Sequence, residues 1–183
     1  MIYQAKTFLL KNQLPCILRN PDPATEAQTM LSYLKEISSE TSFLLRSAQD
    51  PIFTVEEEKA FLRNYNLSPR NIMIIAQIND EITASASFSS SFLSKVCHRA
   101  EMGIAVRKKY WGLGLGTLLM QELCQCASQI GVTQMELEVF ENNHRAKALY
   151  EKCGFSTYGI RPKASREENG SFLSHYLMVK ELS

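Results

Sequence analysis

The chain has 183 residues, a hydrophobic fraction of 45%, a charged fraction of 21% and a formal net charge of +1. This length suits one well-buried core, and the composition is that of an ordinary globular protein rather than a disordered one. A charge so close to zero gives no general attraction to nucleic acid or to a membrane surface, and no apolar run approaches the roughly 20 residues of a membrane span. We therefore expect one domain over residues 1–183, with neither nucleic acid nor membrane among its partners.

The cysteines and the N-terminus favour the cytoplasm. The five cysteines are odd in number and form no Cys-x-x-Cys pair, which is typical of reduced thiols rather than of a disulfide framework. Residues 1–10 lack a charged leader followed by a long apolar core, so they do not resemble a signal peptide. Because the three histidines are scattered along the chain, no metal site is predicted.

The first third of the chain predicts short strands followed by two helices. Residues 7–19 carry apolar stretches on either side of a polar turn at Asn12-Gln13, which indicates a strand pair or one strand with a turn. Asp22-Pro23 offers a side-chain acceptor and a first-turn proline, which predicts that a helix begins there. A second, shorter helix is predicted over residues 55–65.

A meander of strands is predicted next. The isoleucine-rich residues 71–78 predict a strand, and Asn79-Asp80 predicts a hairpin turn. Residues 82–90 are rich in serine, yet apolar and polar side chains alternate along them. We therefore interpret this segment as a half-buried strand whose apolar face carries Ile82, Ala84, Ala86 and Phe88.

The second half of the chain alternates strands and helices. An apolar stripe at helical spacing and a closing glycine, Gly131, mark the first of its helices. The predicted elements are a strand over 99–106, a helix over 117–130, a strand over 133–140, a helix over 143–153, and a final hairpin of strands 155–163 and 172–180.

A glycine-rich turn precedes the first of these helices, in the segment Tyr110-Trp111-Gly112-Leu113-Gly114-Leu115-Gly116-Thr117. Glycines at the start of a helix leave backbone N–H groups unpaired and let an anion approach closely. A P-loop would need a lysine after the last glycine, and a dinucleotide fingerprint starting at Gly112 would need a glycine at 117; Thr117 stands at both positions. The turn is thus either a phosphate site of another kind or only a tight strand-to-helix connection.

A second segment decides between these readings. It runs Asn143-His144-Arg145-Ala146-Lys147-Ala148-Leu149-Tyr150 and continues to Cys153-Gly154-Phe155. The two segments together resemble the acetyl-CoA-binding motifs of the GNAT superfamily of N-acetyltransferases, in a bacterial type. The first motif runs Arg/Gln-x-x-Gly-x-Gly/Ala, and here Gly114 and Gly116 fit whereas Trp111 replaces the Arg or Gln. The second runs Asn-x-x-Ala-x-x-Leu-Tyr-x-x-x-Gly-Phe, and its fixed positions are filled by Asn143, Ala146, Leu149, Tyr150, Gly154 and Phe155.

The resemblance covers about residues 98–155, which would be the cofactor-binding core. It implies an α/β (α+β) GNAT fold: a mixed, mostly antiparallel sheet of about six to seven strands, splayed at the cofactor site and flanked by about four helices. It implies acetyl-CoA as co-substrate and transfer of the acetyl group to a primary amine by direct attack in a ternary complex. Homodimers are frequent in this superfamily, so a homodimer is a possible assembly.

The resemblance also implies which residues meet the cofactor. Backbone amides of the glycine turn would hold the pyrophosphate, and a strand would run beside the pantetheine, with the Ala105 N–H as a candidate donor to the thioester carbonyl. The implied cofactor-binding residues are Ile104, Ala105, Val106, Gly112, Leu113, Gly114, Leu115, Gly116, Thr117, Asn143, Ala146 and Tyr150.

Two residues are predicted to move protons. Tyr150, whose phenol has an ordinary pKa of about 10, would protonate the departing CoA thiolate. An ammonium acceptor must lose a proton before it attacks, and Glu101, four residues before Ala105, is the predicted base. On the residues alone, a tyrosine on an apolar helix face such as Tyr150 is most often a core residue, and Glu101 could equally be a solvated or ion-paired carboxylate.

The acceptor is the least defined part of the prediction. Residues 36–58 are rich in Asp and Glu with one basic residue, Arg46. This would favour a cationic acceptor such as a polyamine, an aminoglycoside or a protein N-terminus, unless the run is only a solvated face. Two other functions stay open: an acyl-CoA-binding sensor or scaffold without catalysis, and, more weakly, covalent transfer through a cysteine such as Cys153, for which no histidine is placed by sequence.

Overall fold

One eight-stranded sheet organises the protein in the computed structural model, which describes residues 1–47 and 49–182. The strands are β1 (Lys6–Leu9), β2 (Pro15–Arg19), β3 (Asn71–Ile78), β4 (Glu81–Ser90), β5 (Arg99–Val106), β6 (Gln134–Phe140), β7 (Ser156–Arg166) and β8 (Phe172–Glu181). Their order is β1-β2-β3-β4-β5-β6-β8-β7, and every pair is antiparallel except β5–β6. The mixed, mostly antiparallel sheet is therefore confirmed.

The expected six to seven strands are slightly too few. Gln13 has a φ of 64°, which turns the chain sharply, so that the N-terminal segment forms two short paired strands. A strand pair was one of the two readings of this segment.

Four helices flank the sheet, as expected: α1 (Ala27–Glu40), α2 (Val55–Leu67), α3 (Leu115–Gln129) and α4 (His144–Lys152). The predicted start of α1 is wrong by about one turn. Asp22 accepts hydrogen bonds from the Ala24 N–H at 2.8 Å and the Thr25 hydroxyl at 2.9 Å, so it closes a separate turn before the helix begins. In α2, Thr54 and Glu57 form a reciprocal capping box.

The sheet separates two cores. Helices α1 and α2 cover one face, where Met30, Tyr33 and Leu62 pack against Met73 and Ile75 of β3. Helices α3 and α4 lie with the other core, to which the alternate residues of β3 contribute. Side chains that alternate along β5 and β6 therefore face α1 and α2 on one side of the sheet and α3 and α4 on the other.

A bulge in β4 corrects one part of the predicted alternation. Ala84 pairs with Ala76, but the next pair is Ile82 with Gln77, so Thr83 is an extra residue. Its hydroxyl donates to Ala76 O at 3.0 Å. As a result, Ile82 turns to the α1–α2 core, whereas Ala84, Ala86 and Phe88 stay together in the other core.

The predicted splay lies between β5 and β6. These parallel strands pair only at Arg99 with Gln134, Ala100 with Met135 and Glu101 with Glu136. Beyond Glu101 and Glu136 the two strands are no longer paired to each other, although β5 stays paired with β4 and β6 with β8 to their ends. A gap therefore opens within a sheet whose other strands remain joined.

Candidate functional site

The strand register shows which residues of β5 and β6 face each other across the gap. Glu101 is paired with Glu136, so four residues further along each strand Ala105 lies level with Phe140. At about 3.3 Å per residue, both are about 13 Å beyond the last paired rung. These two residues therefore face each other across the unpaired part of the strands, near the ends of β5 and β6.

The backbone of β5 presents alternate residues to the gap. The Arg107 N–H donates to Thr83 O of β4 at 2.9 Å, and His98 O accepts from the Thr133 N–H at 2.9 Å on the β6 side. Because polar groups alternate along a strand, Ile104 and Val106 direct their N–H groups to the gap. The N–H of Ala105 points to β4, and its carbonyl accepts a hydrogen bond from the Tyr33 hydroxyl at 2.9 Å. The donors that can face a thioester or pantetheine are therefore those of Ile104 and Val106.

The glycine turn leads from the end of β5 into α3. Gly112 and Gly114 have φ values of 86° and 90°, which L side chains rarely adopt, and Gly114 is the N-cap of α3. The first backbone hydrogen bond of the helix runs from the Leu118 N–H to Gly114 O at 3.0 Å. The N–H groups of Leu115, Gly116 and Thr117 precede that bond, as an anion site at a helix N-terminus requires.

Gly116 has a second reason to lack a side chain. A Cβ built on it would lie 2.8 Å from Leu149 Cδ2. Helix α4 therefore packs closely against the first turn of α3. This contact joins the two sequence motifs, Gly116 in the first and Leu149 in the second.

Trp111, the departure from the motif, is held in place by its indole. Its Nε1–H donates to Val106 O at 2.7 Å, which anchors the turn to the end of β5. The guanidinium of Arg145, on α4, lies over its ring with Cζ 4.7 Å from the ring centroid. A Cβ on Gly112 would be 3.9 Å from Arg145 Nη2, so this cation stands beside the glycine turn.

Sequence reasoning missed both cations at this turn. Arg145 lies inside the second motif, at one of its variable positions. Lys11 lies in the β1–β2 turn: its N–H donates to Leu113 O at 3.2 Å, and its side chain passes 3.7 Å from a Cβ built on Gly114. The position of Arg145 was a usable signal, whereas Lys11 reaches the turn only through the tertiary fold.

We expect Arg145→Gln to weaken acetyl-CoA binding about fivefold at low ionic strength, which is the effect of losing one exposed ion pair. The difference from the wild-type chain should shrink as salt is added, because exposed charges are screened. Calorimetric titration at two salt concentrations measures both effects. Arg63→Gln, on the exposed side of α2, is the matched control. A loss of affinity that does not change with salt would contradict a role for the charge.

Helix α4 carries the predicted Asn143 and Tyr150. Asn143 is the N-cap, and its side chain accepts from the Ala146 N–H at 3.1 Å. Tyr150 is 8% exposed, and burial raises the pKa of its phenol to about 12. Within residues 1–47 and 49–182 its hydroxyl has no hydrogen-bond partner. The phenol is therefore protonated at neutral pH and not engaged elsewhere in the described chain.

Glu101 lies at the last paired rung, exposed, on the α1–α2 side of the sheet. The register places it about 13 Å along β5 from Ala105. A proton from an amine at the level of Ala105 would have to reach it through water.

The acidic segment has mostly structural partners. Glu36 pairs with Arg107, Glu56 with Lys59, and Asp50 accepts from the Ser47 N–H at 2.7 Å. Glu58 differs: it is 1% exposed, burial raises its pKa, and its Oε1 has no partner in the described part of the chain. This segment therefore gives little support for a cationic acceptor.

A cavity of about 650 Å³ lies on the α1–α2 side of the sheet, near the end of β6. Phe140 forms one wall, the end of α1 and the loop after it form a second, and the β7–β8 hairpin forms the third. Its charged lining residues are Arg46, Arg166, Glu167 and Glu168. Since Phe140 is level with Ala105, the wall that Phe140 forms places this cavity beside the unpaired part of β6.

Two further findings bear on the kind of site. No helix in the described ranges is long and apolar enough to cross a membrane. Among those same residues, no three His, Cys, Asp or Glu side chains are grouped as a metal ion would require.

A mixed sheet with one splayed parallel strand pair, followed by a glycine turn at a helix N-terminus, is the GNAT fold. The chain belongs to the acetyltransferase (GNAT) family, whose model matches residues 35–155. Acetyl-CoA is the co-substrate of this family.

Three known proteins show the range of the similarity. An L-amino acid N-acetyltransferase of Escherichia coli (strain K12) is 27% identical over 108 residues, which cover 58% of this chain and 66% of that protein. The crystal structure of a GNAT-family acetyltransferase from Streptococcus pneumoniae is 28% identical, with a TM-score of 0.86 over 92% of this chain and 99% of that one. A phosphinothricin acetyltransferase from Sinorhizobium meliloti, in complex with acetyl-CoA, shares the fold, with a TM-score of 0.77 at 17% identity over 96% of this chain and 90% of that one.

Proposed function

We propose that this protein is an acetyl-CoA-dependent N-acetyltransferase that moves the acetyl group to a primary amine by direct attack in a ternary complex. The observation that carries the proposal is the gap between β5 and β6, which has the glycine turn at its end and the cavity beside it. Cofactor and acceptor could then be held at once, with the reacting atoms close together.

The cofactor would lie along the β5 side of the gap. Its pyrophosphate would meet the first-turn N–H groups of α3, with the charges of Lys11 and Arg145 beside them. The pantetheine would bond to the N–H groups of Ile104 and Val106, and Asn143 would keep its amide nitrogen available for the same ligand. Residues 98–155 would thus act as the cofactor-binding core of one domain.

Tyr150 would act as the general acid. When the C–S bond breaks, the CoA thiolate takes the phenol proton, and the proton released by the new amide nitrogen restores the phenol. Because burial raises the pKa of Tyr150 to about 12, this group stays in its acidic form throughout the usual assay range.

For the acceptor we propose an amino acid or a similar small amine that also carries a carboxylate. Arg46 and Arg166 line the cavity and can pair with a carboxylate, and the E. coli relative acts on L-amino acids. A protein N-terminus is the second candidate, because the cavity is open and bounded by loops. The cytoplasmic location and the possible homodimer remain predictions.

A panel assay of CoA release tests the proposal. It should include L-amino acids, their amides, polyamines, aminoglycosides and short peptides with a free N-terminus. We expect turnover with L-amino acids and a large loss with their amides, which lack the carboxylate. Activity on peptides or polyamines alone would reject the amino-acid acceptor. Tight acetyl-CoA binding without turnover across the panel would instead identify a non-catalytic sensor.

A further inference from the structure

A buried histidine lies behind two residues that line the cavity, Phe140 and Ser165, and it is hydrogen-bonded through both ring nitrogens. His175, on β8, is 3% exposed. Its Nδ1 is 3.3 Å from Glu138 Oε2, and its Nε2 is 3.1 Å from Ser165 Oγ. Its ring lies against Phe140, with centroids 4.3 Å apart. These contacts fix the position and rotation of the imidazole.

The backbone of β7 is what brings Ser165 to this histidine. Arg161 pairs with His175 and Ser165 pairs with Leu173. Between these two pairs β7 advances by four residues and β8 by only two, so β7 bulges here. Pro162, in this irregular stretch, has no N–H to donate to the ladder, and Lys163 has a φ of 51°.

The hydrogen bonds have a direction. An ionised carboxylate can only accept, so the His175 Nδ1–H donates to Glu138. The Nε2 atom of the neutral ring then accepts from the Ser165 hydroxyl. Ser165 is half-buried and lines the cavity, so its oxygen can in turn accept a hydrogen bond from a molecule bound there.

Ser165, His175 and Glu138 lie at the height along the sheet where the thioester and the acceptor amine are expected to meet, next to Ala105. His175 is the register partner of Phe140, and Phe140 is level with Ala105. Glu138 and Phe140 lie on the same side of β6, since their side chains alternate with those of Leu137 and Val139, which belong to the α3–α4 core. Glu101, by contrast, lies about 13 Å away along the strand.

We propose that Ser165, His175 and Glu138 form a proton relay that accepts the proton from the acceptor ammonium. This inference rests on the acetyltransferase function proposed above, and it replaces Glu101 as the base.

The protons balance as follows. The ammonium N–H proton passes to Ser165 Oγ, while the Ser165 hydroxyl proton passes to His175 Nε2. The neutral amine then attacks the thioester carbonyl carbon, the C–S bond breaks, and the thiolate takes its proton from Tyr150. The new amide nitrogen still carries one extra proton, which passes to the Tyr150 phenolate and restores the phenol. The imidazolium, stabilised by Glu138, later returns one proton to water. Serine forms no bond to the acetyl group in this scheme.

Other charged groups bear on the same imidazole. Arg161 of β7 is ion-paired with Glu138 Oε1 at 2.5 Å, so the carboxylate is shared between a guanidinium and the histidine. Glu141, just beyond β6, accepts from the Ser174 N–H at 2.8 Å. Arg46, in the loop after α1, and Arg166, Glu167 and Glu168, which follow Ser165 in the hairpin, line the same cavity.

The test compares five variants with the wild-type chain, using the best acceptor from the panel. Ser165→Ala and His175→Gln should each lower kcat on the order of 10²-fold, the usual contribution of general base catalysis. In both, the pH below which the rate falls should move up towards the ordinary pKa of the acceptor amine, because its ammonium must then lose the proton without a protein base. Their calorimetric Kd for acetyl-CoA should not change. The double variant should lose no more than either single variant, because the groups act as a unit. His98→Gln, an exposed histidine, should keep the wild-type profile, and Glu101→Gln is the variant that tests the competing base.

Several results would overturn the relay. One is a kcat and pH profile of Ser165→Ala within about twofold of the wild type, a change too small for a lost base. A second is an upward move of the acid limb in Glu101→Gln and in neither relay variant. A third is acetylation of Ser165 after incubation with acetyl-CoA, which mass spectrometry would detect. If His175→Gln fails to fold, as thermal unfolding would show, Ser165→Ala tests the relay by itself, because Ser165 is only half-buried and its substitution disturbs the fold less. A wild-type chain that acetylates nothing in the panel would reject the acetyltransferase function itself.

Discussion

Tyr150→Phe is expected to lower kcat on the order of 10²- to 10³-fold while acetyl-CoA binds as before. Only the hydroxyl is removed, so the ring keeps its buried volume next to Phe155, whose ring centroid is 6.2 Å away. The hydroxyl has no partner in residues 1–47 and 49–182, so no hydrogen bond of the described fold is lost. What is lost is the proton for the thiolate, which must then leave as an anion or take a proton from water.

Stopped-flow or steady-state CoA release measures the rate, and calorimetry measures the cofactor affinity. Tyr158→Phe is the matched control, because Tyr158 is 58% exposed on β7 and its phenol meets solvent. Wild-type turnover in Tyr150→Phe would remove the phenol from the mechanism and leave Tyr150 as a core residue. A loss of affinity without a loss of kcat would give it a binding role instead.

The second large effect is expected from Gly114→Glu, which should weaken acetyl-CoA binding at least 100-fold. A non-glycine residue at a φ of 90° is strained by about 1–2 kcal/mol. The new carboxylate would also stand where the pyrophosphate is expected, and Lys11, which passes Gly114, would be drawn to it. Both effects act on the same turn, and the charge accounts for most of the loss.

Gly131→Ala separates strain from site effects. Gly131 follows α3 with a φ of 78°, and a Cβ there would have no atom within 4 Å. We expect this variant to lower thermal stability, because of the same backbone strain, while the Kd for acetyl-CoA stays unchanged. The Kd of Gly114→Ala for acetyl-CoA should lie between those of Gly131→Ala and Gly114→Glu. Normal acetyl-CoA binding by Gly114→Glu would overturn the placement of the pyrophosphate at this turn.

Much of the fold could be predicted because local patterns state it directly. The strand over 99–106 has the predicted limits, and the helices of the second half differ by one or two residues at each end. Their glycine C-caps and apolar stripes depend on neighbours in sequence. The start of α1 was missed because Asp22 and its proline serve equally well in an isolated turn. The face of Ile82 was missed because a bulge leaves no mark in an alternating pattern.

The candidate site divides in the same way. Glycine positions and the second motif lie close together in sequence, so the family and the cofactor followed from them and are confirmed. The direction of the Ala105 N–H depends on strand register, which a single strand does not reveal. The predicted roles of Tyr150 and Glu101 remain to be measured.

By itself, the sequence determined the fold family, the cofactor and the turn that should hold it, because those properties are written in short runs of neighbouring residues. Only the tertiary structure decided which side chains lie together near the glycine turn and near Ala105 and Phe140. It brought Lys11 from the first turn to the glycine turn, and it placed Glu138, Ser165 and His175 in contact. Groups so distant in sequence meet only through strand register and an irregular stretch of β7, which depend on pairing between strands rather than on any local pattern.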